Sequence, residues 1–474
     1  MLRYTEHFIG GAWVASDGGT PHRVIDPATE RPCTEITLGT PADVDRAVAA
    51  ARAAFATFSR TAPEERAALL EKVLAEYKKR AGDIAGAIAT EMGCPIGIAK
   101  TAQVGAGIGH IMAAIKALRG FTFEEQVGDN RVRHEPIGVV ALITPWNWPM
   151  NQILAKVAPA IAAGNTMILK PSEEAPTCAA ILAEILDSAG VPAGVFNLVQ
   201  GDGPGVGAAL AAHRDIDMVS FTGSTRAGIE VAKAAAETVK RVHQELGGKS
   251  PNLILPGADL SKAVPAGLVS VLINSGQSCI APARMLVHKD QHDEAVAIAR
   301  SVFESTTLGD PQEEGRHLGP VVNRAQWNKI QSLIEAGIAE GATLVTGGTG
   351  LPDGVEKGFY VRPTLFANVS NDMTIAREEI FGPVATIIPY EDEDDAVAIA
   401  NDTKYGLSAV VSGDQQAAAR VVPLLRAGMV YVNGGAPDPN LPFGGYKQSG
   451  NGREYGKYGL AEFMEVKSVI GKLG

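Results

Sequence analysis

The sequence predicts an α/β fold with two doubly wound domains and a small additional β element. The first observation is that apolar, β-rich runs alternate with helical patterns, an order that gives parallel sheets with helices on both faces. The second is that this alternation starts again near residue 252 and continues to residue 433. The third is size and composition, because 474 residues with 46% hydrophobic content can bury the cores of two or three domains.

The first series of strands and helices occupies the chain between residues 139 and 239. Its strands are predicted at 139–144, 166–170, 195–200 and 218–222. The helical patterns that alternate with them are 152–163, 177–189, 205–212 and 227–239. Residues 1–118 are predicted to be helix-rich, with helices at 42–58 and 63–81, and to pack onto this first sheet.

The second series is of the same type. Its strands are predicted at 284–287, 384–389, 407–412 and 429–433. Ahead of the first series, the polar run at 123–133 predicts a hairpin that turns at Gly128, Asp129 and Asn130 and has no core face of its own. Two α/β domains and one exposed hairpin are therefore expected.

Charge and hydropathy exclude several classes of partner. The net charge of −11 argues against nucleic acid or an anionic membrane as a partner. The first seven residues lack the apolar core of a signal peptide, and the longest apolar region, at 137–168, is interrupted by prolines, asparagines and Lys156. We therefore expect a soluble, cytoplasmic protein that neither binds nucleic acid nor enters a membrane.

The cysteines suit a reducing compartment. There are four, at positions 33, 94, 178 and 279, which are too few and too scattered to predict a disulfide framework or a metal site.

Cys279 is the candidate nucleophile, because Glu245 precedes it by 34 residues in a second unusual run, 244–252. A thiol and a carboxylate base in one pocket are what a thioester-forming enzyme needs. The alternative is an unreactive, buried cysteine among small neighbours.

A third run, TPWNWP at 144–149, follows the apolar stretch 139–143 and places Asn147 in a turn made rigid by two prolines. A preorganised side-chain amide there could stabilise the oxyanion that forms when a thiolate adds to a carbonyl. The alternative is a structural corner in which Asn147 caps the helix that follows.

Seven motifs lie in order along the chain and together carry a resemblance. They are PWNWP at 145–149, LKPSE at 169–173, FTGST at 221–225, ELGGK at 245–249, GQSC at 276–279, EIFGPV at 379–384 and PFGGYKQSG at 442–450. On these motifs the chain resembles the aldehyde dehydrogenase superfamily, over nearly its whole length. The resemblance implies a Rossmann-like NAD-binding domain at 1–118 and 138–247, a catalytic domain at 248–450, and an oligomerisation element at 119–137 and 451–474. It also implies a homo-oligomer, a dimer or a tetramer.

A dinucleotide site is predicted where the strand 218–222 ends. Main-chain N–H groups and the helix dipole after Gly223 suit a pyrophosphate, although Ser224 could be an ordinary helix cap. The run GPGVGA at 203–208 also fits a loose dinucleotide pattern, but alone this is a weak signal, and a glycine-rich helix entry is the better explanation.

The resemblance assigns further residues to the cofactor. It implies that Ser224 contacts a phosphate and that Lys170 and Glu173 hold the adenosine ribose, so that NAD is preferred to NADP. Glu379 would hold the nicotinamide ribose and Phe381 would flank the ring. As bare residues, these charges could equally belong to solvated loops and the aromatic ring to ordinary packing. The complete predicted set is Thr144, Trp146, Lys170, Ser172, Glu173, Gly203, Phe221, Gly223, Ser224, Glu379 and Phe381.

The resemblance also implies a reaction. Cys279 would attack a small-molecule aldehyde, Asn147 and the main-chain N–H of Cys279 would hold the oxyanion, and hydride would pass to the nicotinamide. Glu245 would then activate the water that hydrolyses the thioester. Lys156 and Glu454 match positions that relay the proton outward, although both could be surface charges.

Two rival functions stay open at this point. A relative that transfers the acyl group to coenzyme A usually lacks a carboxylate at the position of Glu245, and a catalytically silent binding or structural protein would have lost Cys279, Asn147 or Glu245.

Alanine at 155 and the loop 436–441 predict a roomier substrate tunnel. The neighbours Ser278 and Ile280 carry no cation, which disfavours dianionic aldehydes.

Overall fold

The structure is a computed structural model that describes residues 1–472, whose strands form two large sheets and two small ones. The first sheet has eight strands, in the order Gly450–Asn451, Arg241–Glu245, Met218–Thr222, Val139–Ile143, Thr166–Lys170, Phe196–Leu198, Glu6–Ile9 and Ala12–Ala15. The second sheet has seven, in the order Thr343–Thr346, Thr364–Ala367, Val384–Tyr390, Arg284–His288, Pro251–Ile254, Ser408–Ser412 and Met429–Val432.

The two small sheets have three strands each. The hairpin sheet consists of Glu124–Val127, Asn130–Pro136 and Met464–Val469, all antiparallel. The N-terminal sheet consists of Leu2–Tyr4, Arg31–Leu38 and Thr20–Asp26.

Sixteen α-helices surround the sheets within the described residues. They are Pro41–Phe58, Pro63–Lys79, Ala81–Met92, Ile96–Ile98, Val104–Arg119, Pro149–Ala163, Thr177–Ser188, Ala208–Ala212, Thr225–Ala236, Leu260–Leu272, His292–Glu304, Arg324–Ala339, Thr374–Arg377, Glu393–Asn401, Gln415–Val421 and Gly456–Glu462.

The strand Val139–Ile143 shows why the first sheet is covered on both faces. Its sequence, VVALI, is an unbroken apolar run and every residue is buried, as expected for a central parallel strand. Val140 and Leu142 pack into one hydrophobic cluster, whereas Val139 and Ala141 pack into a second on the opposite face. The predicted doubly wound α/β fold is confirmed by this arrangement and by its equivalent in the second sheet.

The order of the strands defines where the first sheet has its crevice. From Val139–Ile143, the chain adds Thr166–Lys170 and Phe196–Leu198 on one side and then Met218–Thr222 on the other. Helices therefore leave the two central strands in opposite directions. A crevice opens between the carboxyl ends of Val139–Ile143 and Met218–Thr222, the usual place for a ligand in such sheets.

The predicted elements agree with the structure in the first series but not near the N-terminus. The strands 166–170 and 218–222 and the hairpin at 123–133 are found as predicted. Residues 1–38, which were included in a helix-rich region, instead form five strands, and helices begin only at Pro41. Two of those strands extend the first sheet at its edge, and both are only four residues long, as is common for edge strands.

The C-terminal segment divides between two sheets. Gly450–Asn451 pairs with Arg241–Glu245 in the first sheet, and the helix Gly456–Glu462 packs on Val104–Arg119. Only Met464–Val469 joins the hairpin sheet. The segment 451–474, predicted to be wholly an oligomerisation element, thus also contributes to the first sheet and its helices; residues 473 and 474 lie outside the described part. In residues 1–472, no helix combines the length and apolar character needed to cross a bilayer.

Candidate active site

The three predicted catalytic residues come from three separate elements. Asn147 lies in the turn between Val139–Ile143 and the helix Pro149–Ala163, at the crevice of the first sheet. Glu245 is the last residue of the strand Arg241–Glu245. Cys279 lies in the turn that precedes Arg284–His288 of the second sheet. The site is therefore at the junction of the two sheets.

Two glycines let the Glu245 segment approach the Cys279 turn. A Cβ atom on Gly248 would lie 2.2 Å from the carbonyl oxygen of Cys279, and one on Gly247 would lie 2.5 Å from Oε2 of Glu379. The contact at Gly248 is with the main chain, so only glycine fits there, whereas a side chain at position 247 would require the Glu379 carboxylate to move. The main-chain N–H of Gly248 donates to Oε1 of Glu379 at 2.9 Å.

Asn147 is held by the residues that lead to Cys279. Its side-chain Nδ2 donates to the carbonyl oxygen of Gln277 at 3.0 Å, and its own carbonyl accepts from Nδ2 of Asn274 at 2.9 Å. The helix Pro149–Ala163 begins after Trp148 and has no side-chain cap. The alternative that Asn147 caps this helix is therefore not what the structure has. One amide hydrogen of Asn147 is left to face the site.

The turn before Cys279 is strained and fixed by buried amides that the sequence analysis did not single out. Asn274 and Ser275 have φ values of 57° and 55°, in the left-handed region that non-glycine residues rarely occupy. Oε1 of Gln277 accepts from the N–H of Val322 at 2.9 Å, and Nε2 of Gln103 donates to Oδ1 of Asn274 at 3.3 Å. Only Asn274 gave a signal in the sequence, because asparagine tolerates that conformation better than most residues.

The surroundings of Cys279 keep its thiol protonated at rest. Burial raises the pKa of Cys279, and the carboxylates of Glu379 and Glu245 raise it further. The side chain is half-buried and makes no disulfide. A thiol in this state needs a base to become a nucleophile.

Glu245 is placed as such a base. Its side chain is buried, and neither carboxylate oxygen has a hydrogen-bond partner among residues 1–472. Burial raises the pKa of Glu245 well above its ordinary value, Glu454 adds to the rise, and Lys156 opposes it. A carboxyl group whose pKa is raised toward neutrality is suited to accept a proton from water or a thiol.

Lys156 and Glu454 form a buried ion pair rather than two surface charges. Nζ of Lys156 lies 2.5 Å from Oε1 of Glu454, and both side chains are almost wholly buried. Burial is the largest effect on Glu454 and raises its pKa, but Lys156, His243 and His110 together more than offset it, so the pKa lies below its ordinary value. Glu454 is thus ionised at neutral pH, and it lies close to Glu245.

The predicted phosphate site is a capped helix N-terminus beside a cavity. Oγ of Ser224 accepts from the N–H of Ala227 at 3.3 Å, which is the ordinary capping role left open above. The cavity next to it has a volume of about 380 Å³. It is lined by Ser224, Thr225, Arg226, Ile229, Glu230, Lys329, Glu378, Glu379, Lys404, Tyr405 and Gln448. Ser224 and Glu379 thus share one cavity, as the prediction of a common ligand requires.

The Lys170 segment lies at the same carboxyl edge. Nζ of Lys170 donates to the carbonyl oxygens of Pro171 and Gly201, at 2.6 and 2.7 Å, and lies 3.4 Å from Oε2 of Glu173. Burial lowers the pKa of Lys170, and Glu173 opposes this shift. Glu173 is half-buried and reaches solvent, whereas the buried Ser172 accepts from the N–H of Glu174.

The remaining predicted cofactor residues fall into three places. The rings of Trp146 and Phe381 meet edge to face, with centroids 5.5 Å apart, and Phe381 has a φ of 62°. Phe221 folds over Gly223, where a Cβ atom would lie 2.6 Å from the ring. Gly203 is exposed and begins the helical turn 203–207, which Asp202 caps, so its contacts are those of a helix entry.

Comparison with known proteins identifies the family. A profile of the aldehyde dehydrogenase family matches residues 13–469. The chain belongs to the aldehyde dehydrogenase family. A 3-succinoylsemialdehyde-pyridine dehydrogenase of a Pseudomonas species is 54% identical over 476 residues, which cover 100% of each chain. The predicted family and enzyme class are confirmed: the protein is an aldehyde dehydrogenase.

Solved aldehyde dehydrogenases have the same fold. That of Bartonella henselae is 49% identical and superposes with a TM-score of 0.97 over 99% of each chain. Aldehyde dehydrogenase C of Pseudomonas syringae, a cysteine-to-alanine mutant in complex with NAD⁺ and octanal, is 51% identical with a TM-score of 0.97, over 98% of this chain and 96% of that one. The enzyme of Mycobacterium tuberculosis, complexed with NAD⁺, is 40% identical with a TM-score of 0.96, over 99% and 98%.

Proposed function

We propose that this aldehyde dehydrogenase oxidises an aldehyde to the carboxylic acid, with NAD as cofactor and a thioester on Cys279 as the intermediate. The observation that carries the proposal is the link between Asn147 and Gln277, which places a side-chain amide beside the Cys279 turn. The glycine pair 247–248 brings the Glu245 segment to the same turn. Both observations support a site in which Cys279 is the nucleophile, Asn147 the oxyanion donor and Glu245 the base.

The residues at the crevice suit NAD. The hydroxyls of Thr144 and Thr222 are buried at the carboxyl edge of the first sheet without a partner among residues 1–472. The N-terminus of the helix Thr225–Ala236 offers main-chain N–H groups to a phosphate. Glu173 offers a carboxylate that accepts from ribose hydroxyls and repels a 2′-phosphate, which favours NAD over NADP. The predicted domain boundaries and the cofactor roles of the other residues remain part of this proposal.

The first half of the reaction forms the thioester. Glu245 takes the proton of the Cys279 thiol, and sulfur adds to the aldehyde carbon. Nδ2 of Asn147 and the main-chain N–H of Cys279 donate to the oxygen as it gains charge. NAD, when bound, supplies the acceptor for the hydride that leaves the adduct carbon. The oxygen then regains its carbonyl bond and the acyl group stays on Cys279.

The second half releases the acid. Once Glu245 has given up the proton that it took from Cys279, it takes a proton from water, whose oxygen attacks the thioester while the Cys279 sulfur leaves as the thiolate. The buried pair of Lys156 and Glu454 supports passage of the released proton away from the site, because it is charged and close to Glu245.

A relative that transfers the acyl group to coenzyme A is the second candidate. Glu245 argues against it, since a buried base at a thioester serves hydrolysis. A silent binding protein is less favoured, because the strain at Asn274 and Ser275 and the raised pKa values of Cys279 and Glu245 are typical of a working site.

The test is a panel of aldehydes with NAD, with NADH formation as the signal, in the presence and absence of coenzyme A. Octanal and 3-succinoylsemialdehyde-pyridine belong in the panel because of the relatives' names. Free acid as the product in both conditions supports the proposal. Acyl-coenzyme A as the product, with NADH formed only when coenzyme A is present, contradicts it, and so does the absence of NADH with every aldehyde.

We also propose that the enzyme is a cytoplasmic homo-oligomer. The hairpin sheet has two free edge strands, and Glu124–Val127 is exposed along its whole length. Such edges pair readily with another chain. Light scattering on the purified protein gives the mass of the assembly, and a monomer at micromolar concentration would contradict the proposal.

A further inference from the structure

Two neighbouring strands of the first sheet place a histidine and a serine beside the catalytic base. Ser220 on Met218–Thr222 is the direct cross-strand partner of His243 on Arg241–Glu245. Residues two apart on a strand point to the same face, so His243 and Glu245 share a face. Both side chains are buried.

A continuous run of polar contacts leads from the ion pair to His243. Nζ of Lys156, which is held by Glu454, donates to Oγ of Ser220 at 3.1 Å. Oγ of Ser220 in turn lies 3.2 Å from Nδ1 of His243. A lysine ammonium has only donors, so the Ser220 oxygen must accept from it and is free to donate its one hydrogen to Nδ1.

These contacts are compatible with an N–H on the side of His243 that faces Glu245. Burial lowers the pKa of His243 to about 4, so the ring is neutral and carries one N–H. When Ser220 donates its hydroxyl hydrogen to Nδ1, the N–H lies on Nε2, and the inference below uses this tautomer. Nε2 faces Oε1 of Glu245 at 3.6 Å and has no other partner among the described residues.

Main-chain glycines lie against the His243 ring and the Glu245 carboxylate. A Cβ atom on Gly452 would lie 2.2 Å from Cδ2 of His243, so the main chain of residue 452 covers the ring. A Cβ atom on Gly444 would likewise lie 2.7 Å from Oε1 of Glu245. The distance between Nε2 and Oε1 is longer than a hydrogen bond, and a small movement of the Glu245 side chain would close it, as is common when a substrate enters.

The charges around this pair come from three elements. Lys156 approaches from the helix Pro149–Ala163, Arg453 and Glu454 from the segment after Gly452, and Glu462 from the last helix. The Cys279 thiol faces Glu245 from the second sheet. Among the described residues, neither Glu245 oxygen has a hydrogen-bond partner, and Nε2 of His243 lies 3.6 Å from Oε1.

We propose that His243 is a positioning residue for the catalytic base: its Nε2–H, oriented by Ser220 and Lys156, favours the carboxylate form of Glu245 and directs it toward the thioester. The inference rests on the proposed role of Glu245. Lys156 thus acts on the base through two hydrogen bonds as well as through space. Without the N–H donor, Glu245 should stay protonated up to a higher pH than in the unmutated enzyme. Hydrolysis of the thioester should therefore be slower at acidic pH.

The test measures thioester hydrolysis against pH in the complete enzyme. The unmutated protein and His243→Leu are mixed with NAD and aldehyde, and the initial burst of NADH and the later steady rate are recorded separately. In His243→Leu the burst amplitude should stay at one NADH per site. The acid limb, which is the part of the pH profile where the steady rate falls as the pH is lowered, should move to higher pH by about one unit. One unit is the scale of one lost hydrogen bond to a carboxylate.

Two further variants separate positioning from packing. His243→Gln keeps an N–H donor at about the reach of Nε2 and should return the acid limb toward its original pH. His292→Leu, which removes another buried histidine with an unpartnered ring nitrogen in the described residues, far from the site, should leave the limb in place.

A third variant keeps the inference testable if His243→Leu does not fold. Ser220→Ala removes the hydroxyl that orients the ring and should shift the limb in the same direction by a smaller amount. The inference is wrong if His243→Leu folds and keeps the acid limb of the unmutated enzyme. If His243→Leu does not fold, the inference is wrong if Ser220→Ala folds and keeps that acid limb. It is also wrong if His243→Gln behaves as His243→Leu does. Absence of a burst in the unmutated enzyme would instead contradict the proposed function.

Discussion

The side-chain amide of Asn147 donates to the carbonyl oxygen of Gln277 at 3.0 Å, across 130 residues of sequence. This bond joins the crevice of the first sheet to the turn that carries Cys279 in the second. The residues around it are amides from distant parts of the chain, all buried and all bonded to main-chain groups. The site is therefore rigid before a substrate arrives, as electrostatic stabilisation of an oxyanion requires.

Removing the Asn147 amide should slow the chemistry without unfolding the protein. The main-chain carbonyl of Asn147 keeps its bonds to Asn274 and Gln103 in Asn147→Ala. We expect kcat to fall by about 10²- to 10³-fold, the usual effect of losing one oxyanion donor, with Tm nearly unchanged. Steady-state kinetics and thermal unfolding measure both. A variant with near-normal kcat would remove Asn147 from the mechanism.

Replacing the nucleophile should abolish turnover and leave cofactor binding intact. Cys279→Ala lacks the sulfur that accepts the acyl group, but the contacts of the helix Thr225–Ala236 are unaffected. NADH formation should vanish while the Kd for NAD stays close to that of the unmutated enzyme. Cys33→Ala, at another half-buried cysteine, is the matched control and should retain activity. Comparable turnover in Cys279→Ala contradicts its assignment.

Cofactor choice should depend on Glu173. The carboxylate accepts from ribose hydroxyls and repels a 2′-phosphate, so kcat/KM with NAD should exceed that with NADP by about tenfold or more. In Glu173→Ala the ammonium of Lys170 loses its carboxylate neighbour, so the ratio of kcat/KM with NAD to kcat/KM with NADP should become smaller. Glu174→Ala, one residue away and bonded to Asn323, serves as the control. Equal efficiency with both cofactors before mutation would refute the role.

The sequence predicted the reacting residues better than their supports. Cys279, Glu245 and Asn147 stand in short, unusual runs, whereas Gln103 contacts Asn274 across 171 residues and no local pattern marks it. His243 had a detectable signal, since it lies two residues before Glu245 on a strand, but its partner Ser220 follows only from strand pairing. The strand Arg31–Leu38 buries Thr34 and Ile36 in alternation, a period that the sequence analysis overlooked beside the stronger helical patterns.

Breaking the buried ion pair of Lys156 and Glu454 should lower the free energy of unfolding and reverse part of the dependence of that free energy on pH. In Lys156→Met, Glu454 keeps a buried charge without a partner, which should cost about 3 kcal/mol of unfolding free energy at neutral pH. In the unmutated protein the pKa of Glu454 is lowered, so the pair stabilises the fold above about pH 4.3, the unfolded pKa, and this contribution is lost as the pH falls through the folded pKa.

The variant should have the opposite trend. Without Lys156, burial raises the pKa of Glu454, so the folded state binds a proton more tightly than the unfolded state and stability increases as the pH falls toward 5. Denaturant unfolding at several pH values measures both trends. Adding Glu454→Gln to Lys156→Met should recover part of the lost stability. Identical pH profiles for the variant and the unmutated protein would contradict the ion-pair assignment.

The central claim is that Glu245 activates water for release of the acid. Rapid mixing of Glu245→Gln with NAD and aldehyde tests it most directly. We expect one NADH per site in a burst, followed by a steady rate lowered by about 10²-fold or more, the scale of losing a general base. Since Glu245 also takes the proton of Cys279, the burst should form more slowly than in the unmutated enzyme, and higher pH should restore its rate, because the thiolate then forms unaided. Full steady turnover at neutral pH, or no burst at any pH in a folded variant that binds NAD, would contradict the account.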